Sequence, residues 1–325
     1  MKKTIITITG AAGNIAYSLI FRILSGNIFP DTHKIQINLL DLAEALPILK
    51  GVKYEIEDCA FPNLENITIT DNPELAFMDS NYILLVGAKP RFKGMQRADL
   101  LLDNANIFQK HAKIINECVG KDTKIVVVGN PANTNALILQ NFAHNLPAEN
   151  ITSLMKLDQN RAKSILANKL DKSVKDISQL VVWGNHSVTQ FPDLNHTLVS
   201  DSHDLISSLD KNWINDIFIP RVQKRGAEII EHRGKSSAAS AASAIYDHLS
   251  ILVNGSIEWE SMGIIRENNY NICDEIFFSF PLKISTSNID IINDLDISEN
   301  SMKYIKDTEK ELLVERDIIK DILKN

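Results

Sequence analysis

A short apolar run at residues 4–9 passes directly into Gly10-Ala11-Ala12-Gly13, and the residues that follow are spaced for a helix. Ile15, Leu19, Ile20, Ile23 and Leu24 share one helical stripe, and Gly26 stands where a left-handed cap is expected. Strand, glycine turn and helix in immediate succession leave few folds open. Residues 35–40, 67–70, 83–86 and 125–128 repeat the strand signal, rich in β-branched side chains and bounded by Gly, Asp or Asn. Several of these runs are apolar without alternation, as a parallel strand covered on both faces requires. With right-handed crossovers, the first half is expected to form a doubly wound parallel sheet.

The pattern changes near residue 155. Helical stretches at 159–170, 211–231 and 236–252 precede a strand-rich segment at 256–292 and a charged amphipathic helix at 301–323. The expected architecture is therefore α/β, with a nucleotide-binding domain over 1–154 and a mixed α+β substrate domain over 155–325. The run Ser236-Ser237-Ala238-Ala239-Ser240-Ala241-Ala242 is read as close packing within a helix.

Of 325 residues, 34 are basic and 41 acidic, a formal charge of −7 without any dense Lys/Arg block, which argues against nucleic acid or an anionic membrane as partner. Cys59, Cys118 and Cys273 are odd in number and widely spaced. That pattern favours a reducing compartment and argues against a disulfide framework or a zinc site. The amino terminus enters a strand with no apolar signal core, so a cytoplasmic location is expected.

Candidate site residues gather at the ends of the expected strands. Gly10 and Gly13 allow a tight turn and close approach of a helix N-terminus to a pyrophosphate. Asp41, ending the second strand, can accept hydrogen bonds from ribose hydroxyls and would repel a 2′-phosphate, which favours NAD over NADP. After the strand at 83–86 comes Pro90-Arg91-Phe92-Lys93-Gly94-Met95-Gln96-Arg97. Arg91 and Arg97 offer planar forks of donors that fit carboxylates, although a solvated basic turn would look the same. Val128-Gly129-Asn130-Pro131 ends a further strand, where the Asn130 amide could orient a ribose or a substrate oxygen. Asp158 could simply cap a helix, with Arg161 on the same face. His186, in Trp183-Gly184-Asn185-His186-Ser187, would serve as a proton acceptor near neutral pH if paired with an upstream aspartate.

Taken together, Gly10-Ala11-Ala12-Gly13, the arginine loop, Gly129-Asn130-Pro131-Ala132-Asn133, Leu157-Asp158 with Arg161, and Trp183-Gly184-Asn185-His186-Ser187 resemble malate dehydrogenase in order and spacing. The resemblance is closest to the cytosolic-type branch and covers nearly the whole chain. It implies a Rossmann-type domain that binds NAD, a small dicarboxylate substrate (malate or oxaloacetate) and a homodimer. His186 then resembles the proton acceptor and Asp158 its partner. Arg161 matches the clamp on the carboxylate next to the reacting carbon, and Arg91 and Arg97 the substrate arginines of a mobile loop. Asn130 would sit beside them. The family's cofactor contacts map onto Gly10, Ala11, Ala12, Gly13, Asn14, Ile15, Ala16, Asp41, Asn104, His111, Val128, Gly129 and Asn130. Asn14 and His111 replace usual glutamines, and Asn271 stands in a turn where glycine is usual, which implies a left-handed backbone there.

Lactate dehydrogenase is the nearest alternative, but that family typically has an uncharged glutamine where this chain has Arg91. A short-chain reductase would need Tyr-x-x-x-Lys, and no tyrosine here has lysine four residues on. A non-catalytic NAD-binding protein would have no use for Asp158, Arg161 and His186 together.

Overall fold

The computed structural model describes residues 2–30, 32–89, 96–268 and 270–324. Its strands are β1 (Lys2–Thr9), β2 (His33–Leu40), β3 (Leu64–Thr70), β4 (Tyr82–Leu85), β5 (Lys124–Val127), β6 (Ile151–Leu154), β7 (Ile177–Ser178), β8 (Val181–Trp183), β9 (Phe191–Asp193), β10 (Leu198–Val199), β11 (Glu260–Ile264), β12 (Phe278–Ile284) and β13 (Ile289–Ile291). The helices are α1 (Asn14–Ser25), α2 (Leu46–Asp58), α3 (Pro73–Phe77), α4 (Arg97–Cys118), α5 (Ala132–Phe142), α6 (Lys156–Leu170), α7 (Asp204–Ser207), α8 (Ile219–Arg233), α9 (Ala239–Asn254), α10 (Glu299–Ile318) and α11 (Lys320–Leu323).

Strands β1 to β6 run parallel in the order β6-β5-β4-β1-β2-β3. The chain winds outward through β2 and β3, then returns to the other side of β1 at β4. The direction reverses between β1 and β4, which opens a crevice at their carboxyl ends. One feature goes beyond the expected layout. Antiparallel β11, β12 and β13 continue the same sheet past β6, so both halves of the chain share it.

The core divides by sheet face rather than by half of the chain. Ile6, Ile8, Leu84 and Val126 join one buried cluster with Leu19 and Ile23 of α1 and Ile245 and Leu249 of α9. Ile83, Leu85, Ile125 and Val127 join the other, with Phe108 of α4 and Leu139 of α5. Neighbouring residues of one strand thus enter opposite cores, which accounts for the apolar runs without alternation. Burying each such isoleucine contributes roughly 1.5–3 kcal/mol.

Two local expectations, at Gly26 and at the small-residue run, need correction. Gly26 does cap α1 but has an extended backbone at φ −90°; a β-carbon there would meet the Tyr246 hydroxyl at 2.3 Å, so packing space decides this position. The helix expected at 211–231 is present without interruption to Arg233, with a π-type turn at Trp213–Phe218 leading into α8. Pro220, in the first turn of α8, has no N–H to donate, which favours the wider turn before it. The small-residue run is not helical from Ser236, since α9 begins only at Ala239. Asn271 has φ +56°, in line with its expected left-handed turn.

His248, fully buried on α9, meets the Thr152 hydroxyl of β6 at 2.8 Å, and its Nδ1 has no partner among the described residues. Burial, assisted by the nearby Lys156 charge, pushes its pKa down to about 3. An unfolded histidine titrates near 6.5, so between these values the unfolded chain binds more protons than the fold does. Stability from this group is therefore present above about pH 6.5 and declines as pH falls, by at most ~1.4 kcal/mol per pH unit. His111, lowered to about 4 by burial, acts with the same sign. Denaturant midpoints measured from pH 7 to 4.5 should fall less steeply for His248→Asn than for wild type. Parallel slopes would mean that the imidazole is protonated inside the fold.

Candidate active site

The crevice between β1 and β4 is closed at its floor by glycines. Gly10 has φ +62°, and a β-carbon there would lie 2.6 Å from the Gly87 α-carbon, so neither residue tolerates a side chain. Helix α1 starts just beyond, with Gly13 at its N-cap, no side-chain cap and no acid in the first turn. Its first amides are thus left for an anion. Asp41 sits beside them, its two oxygens each accepting a backbone N–H at 2.8 Å, from Ala12 and Leu42. Each oxygen keeps a lone pair for a ribose hydroxyl. These groups line a cleft of about 310 Å³ that also takes in Asn14, Ile15 and Ala16. The glycine cradle, the uncapped helix and the carboxylate together fit a dinucleotide. Ala11 is buried beneath the turn, its N–H bonded to Leu40. Val128 and Gly129 both donate to the Leu85 carbonyl and turn the chain at the end of β5, leaving Asn130 exposed at the sheet's carboxyl edge.

The far wall of the cleft is Ser236, Ser237 and Ala238, the run read from sequence as packing. Ser237 accepts from Arg161 Nη2 at 3.3 Å, which joins this cleft to a second cluster on α6. Asp158 does not cap α6, whose N-cap is Met155; it lies in the first turn, fully buried. Its Oδ2 meets His186 Nδ1, and its Oδ1 accepts from Arg161 Nη1 at 3.0 Å and Gln190 Nε2 at 3.2 Å. Burial pushes the Asp158 carboxyl up, but His186, Arg161 and Gln190 outweigh it and hold the group below the ordinary carboxylate range. With Nδ1 turned to the carboxylate, His186 has Nε2 left for a substrate. Its side chain is 16% exposed against 0% for Asp158, so solvent reaches the imidazole but not the carboxylate. Arg161 Nε is buried with no partner among the described residues. A charged donor desolvated without an acceptor points to an anion that belongs there.

The loop carrying His186 is fastened from two sides. The Asn133 side chain of α5 accepts from the His186 backbone N–H at 3.1 Å and donates to the carbonyls of Gly184 and Phe277. Gly184 has φ +94° with Thr308 at 2.1 Å from any β-carbon, so glycine is required. From α10, Glu311 accepts from Asn185, Ser187 and Thr189, while Glu315 accepts from Asn185 and Thr134.

Not every expected site residue arrives. Arg91 and the side chain of Arg97 lie outside the described residues. Asn104 is fully buried and holds Lys89 through both its N–H (2.7 Å) and its carbonyl (3.2 Å), with a further bond to Leu100. It fastens the strap after β4 to α4 rather than reaching the cleft. His111 packs on Phe77 and Phe108, and burial lowers its pKa to about 4. It is half-buried on α4 and is not among the residues that line the cleft. In the other direction, Asn133, Gln190 and Ser237 belong to the site, and the motif reading gave them no role.

A family model described as the lactate/malate dehydrogenase NAD binding domain matches residues 4–152. A second, the lactate/malate dehydrogenase alpha/beta C-terminal domain, matches residues 155–323. Among solved structures, a malate dehydrogenase from Naegleria fowleri is 40% identical over 99% of both chains, with a TM-score of 0.95. A lactate dehydrogenase from Trichomonas vaginalis, in complex with NADH and oxamate, is 35% identical over 99% of both chains, with a TM-score of 0.94. A malate dehydrogenase from Plasmodium falciparum shares the fold at 22% identity and a TM-score of 0.84, over 98% of this chain and 99% of that one.

Proposed function

The chain belongs to the lactate/malate dehydrogenase family of NAD-dependent oxidoreductases, and within it we propose that this protein interconverts (S)-malate and oxaloacetate. The observation that carries the dicarboxylate preference is Arg91. A guanidinium in a closed site needs an anionic partner. Facing the methyl group of pyruvate it would be desolvated and unpaired, at a cost of several kcal/mol.

The cluster around Asp158 supports the following roles. Arg161, with its unpartnered buried Nε, clamps the carboxylate next to the reacting carbon. Arg91 holds the distal carboxylate, with Arg97 and Asn130 beside the substrate. His186 Nε2 takes the hydroxyl proton, and Asp158, already held as an anion, stabilises the imidazolium that results. Bound NAD supplies the hydride acceptor for this reaction. Oxidation needs His186 neutral and reduction needs it protonated, so the two directions should respond oppositely to pH around one apparent group.

The direct test follows NADH absorbance with oxaloacetate, pyruvate and 2-oxoglutarate in parallel. Oxaloacetate should give the highest kcat/KM. A preference for pyruvate would return the chain to the lactate branch, a reading that the Trichomonas vaginalis neighbour keeps in play.

Asp41 should make NAD the preferred cofactor. Its carboxylate would lie against the 2′-phosphate of NADP, and like charges at that range repel by about 1–4 kcal/mol. Asp41→Ser should narrow the preference by about tenfold or more. Equal kcat/KM with NAD and NADP in the wild type would remove this role from Asp41.

A further inference from the structure

Gln190 lies outside every motif that identifies the family site, yet its side chain bears directly on Asp158. It is 3% exposed, and its Nε2 donates to Asp158 Oδ1 at 3.2 Å. Its backbone is fixed from α8, where Gln223 Nε2 donates to the Gln190 carbonyl at 2.8 Å. Its Oε1 is buried with no partner among the described residues. Flipping the amide would satisfy nothing and would press two acceptors, Oε1 and Asp158 Oδ1, together. A buried amide that leaves its own oxygen unpaired while turning its nitrogen to a carboxylate is placed there for that carboxylate.

We propose that Gln190 is a positioning residue of the proton relay: it fixes the Asp158 carboxylate toward His186 and, by taking up part of its negative charge, sets the pH at which the enzyme changes protonation. The inference rests on the relay reading given above. Among the described residues, the charged groups facing the His186 loop are Asp158 and Arg161 from α6, and Glu311 and Glu315 from α10. The α5 contact to the loop, Asn133, is neutral. Both α10 carboxylates bond the loop at Asn185, and Glu311 also at the Ser187 and Thr189 hydroxyls. Gln190 and Arg161 are thus the groups that compete with His186 for the charge on Asp158.

The sign follows from that competition. Losing the Gln190 donor leaves more charge on Asp158, which then binds a protonated imidazole more strongly. Gln190→Met keeps the side-chain length and removes the donor. It should move the pH midpoint of hydroxy-acid oxidation upward, on the order of half a pH unit, and let keto-acid reduction persist to higher pH. Gln190→Glu, of the same volume, should shift the midpoint further in the same direction once its own carboxyl ionises. KM for NAD should stay unchanged in both variants. Profiles that superimpose on wild type, with only kcat or Tm reduced, would leave Gln190 a packing residue and overturn the proposal. A measurement on the wild type needs no variant to fold: the Gln190 side-chain amide protons, followed by NMR, should shift in step with the His186 ring. An amide that stays still while the ring titrates would also overturn it. If the relay reading itself were wrong, His186→Asn would retain turnover, an outcome separate from either result at Gln190.

Discussion

His186→Asn is expected to lower kcat by roughly a hundred- to ten-thousand-fold or more in both directions. In the oxidation direction, His186 Nε2 is the group poised to accept the hydroxyl proton, since Nδ1 is committed to a carboxylate held below its ordinary range. An asparagine at this position keeps a polar side chain but cannot accept the proton, so the step falls back on water. The loss should appear in kcat rather than in cofactor affinity, because His186 is not among the residues that line the cleft with the Gly10 turn and Asp41. The backbone staple to Asn133 involves the main chain and survives the change. Turnover would be measured alongside NADH binding by fluorescence. A rate close to wild type with binding intact would mean that another residue carries the proton.

Much of this architecture is legible in sequence because the physics is local. The unbroken apolar runs mark strands that feed two cores at once, and the structure places Ile6 and Ile8 in one cluster and Ile83 and Leu85 in the other. Gly10 is readable because a turn of this kind needs a positive φ, and it has one. His186 and Asp158 are visible as motif residues, although their partnership spans 28 positions and needed the family resemblance to be seen. What stayed hidden acts over distance without a local pattern. Gln190 reaches Asp158 across 32 positions, Asn133 reaches the His186 backbone across 53, and Ser237 meets Arg161 across 76. The continuation of the sheet through β11 is of the same kind, since pairing Gly263 with Ser153 leaves no signature in either segment alone. Asn104 and His111 show the opposite failure. Their positions match the family's cofactor contacts, but here one amide is bonded to Lys89 and Leu100 and one half-buried imidazole packs on Phe77 and Phe108. Position in a motif does not fix where a side chain spends its hydrogen bonds.

Arg91→Gln should reverse much of the substrate preference, and the direction follows from charge alone. With arginine, the distal carboxylate of oxaloacetate has a charge-assisted, bidentate partner. With glutamine it is left desolvated and singly bonded, a loss of about 2–5 kcal/mol, which lowers kcat/KM for oxaloacetate by some 30- to several-thousand-fold. Pyruvate has no distal carboxylate to lose. For that substrate the substitution removes a guanidinium that a closed site would leave without an anionic partner, so kcat/KM should hold or rise. Arg161, whose buried Nε has no partner among the described residues, is untouched and, as the proposed clamp, should continue to bind the carboxylate that both substrates share. The change therefore belongs in the ratio of the two efficiencies rather than in activity as a whole. That ratio, oxaloacetate over pyruvate, should drop by at least about 30-fold. A ratio that does not move would assign the dicarboxylate preference elsewhere, with Arg97 the next residue to test.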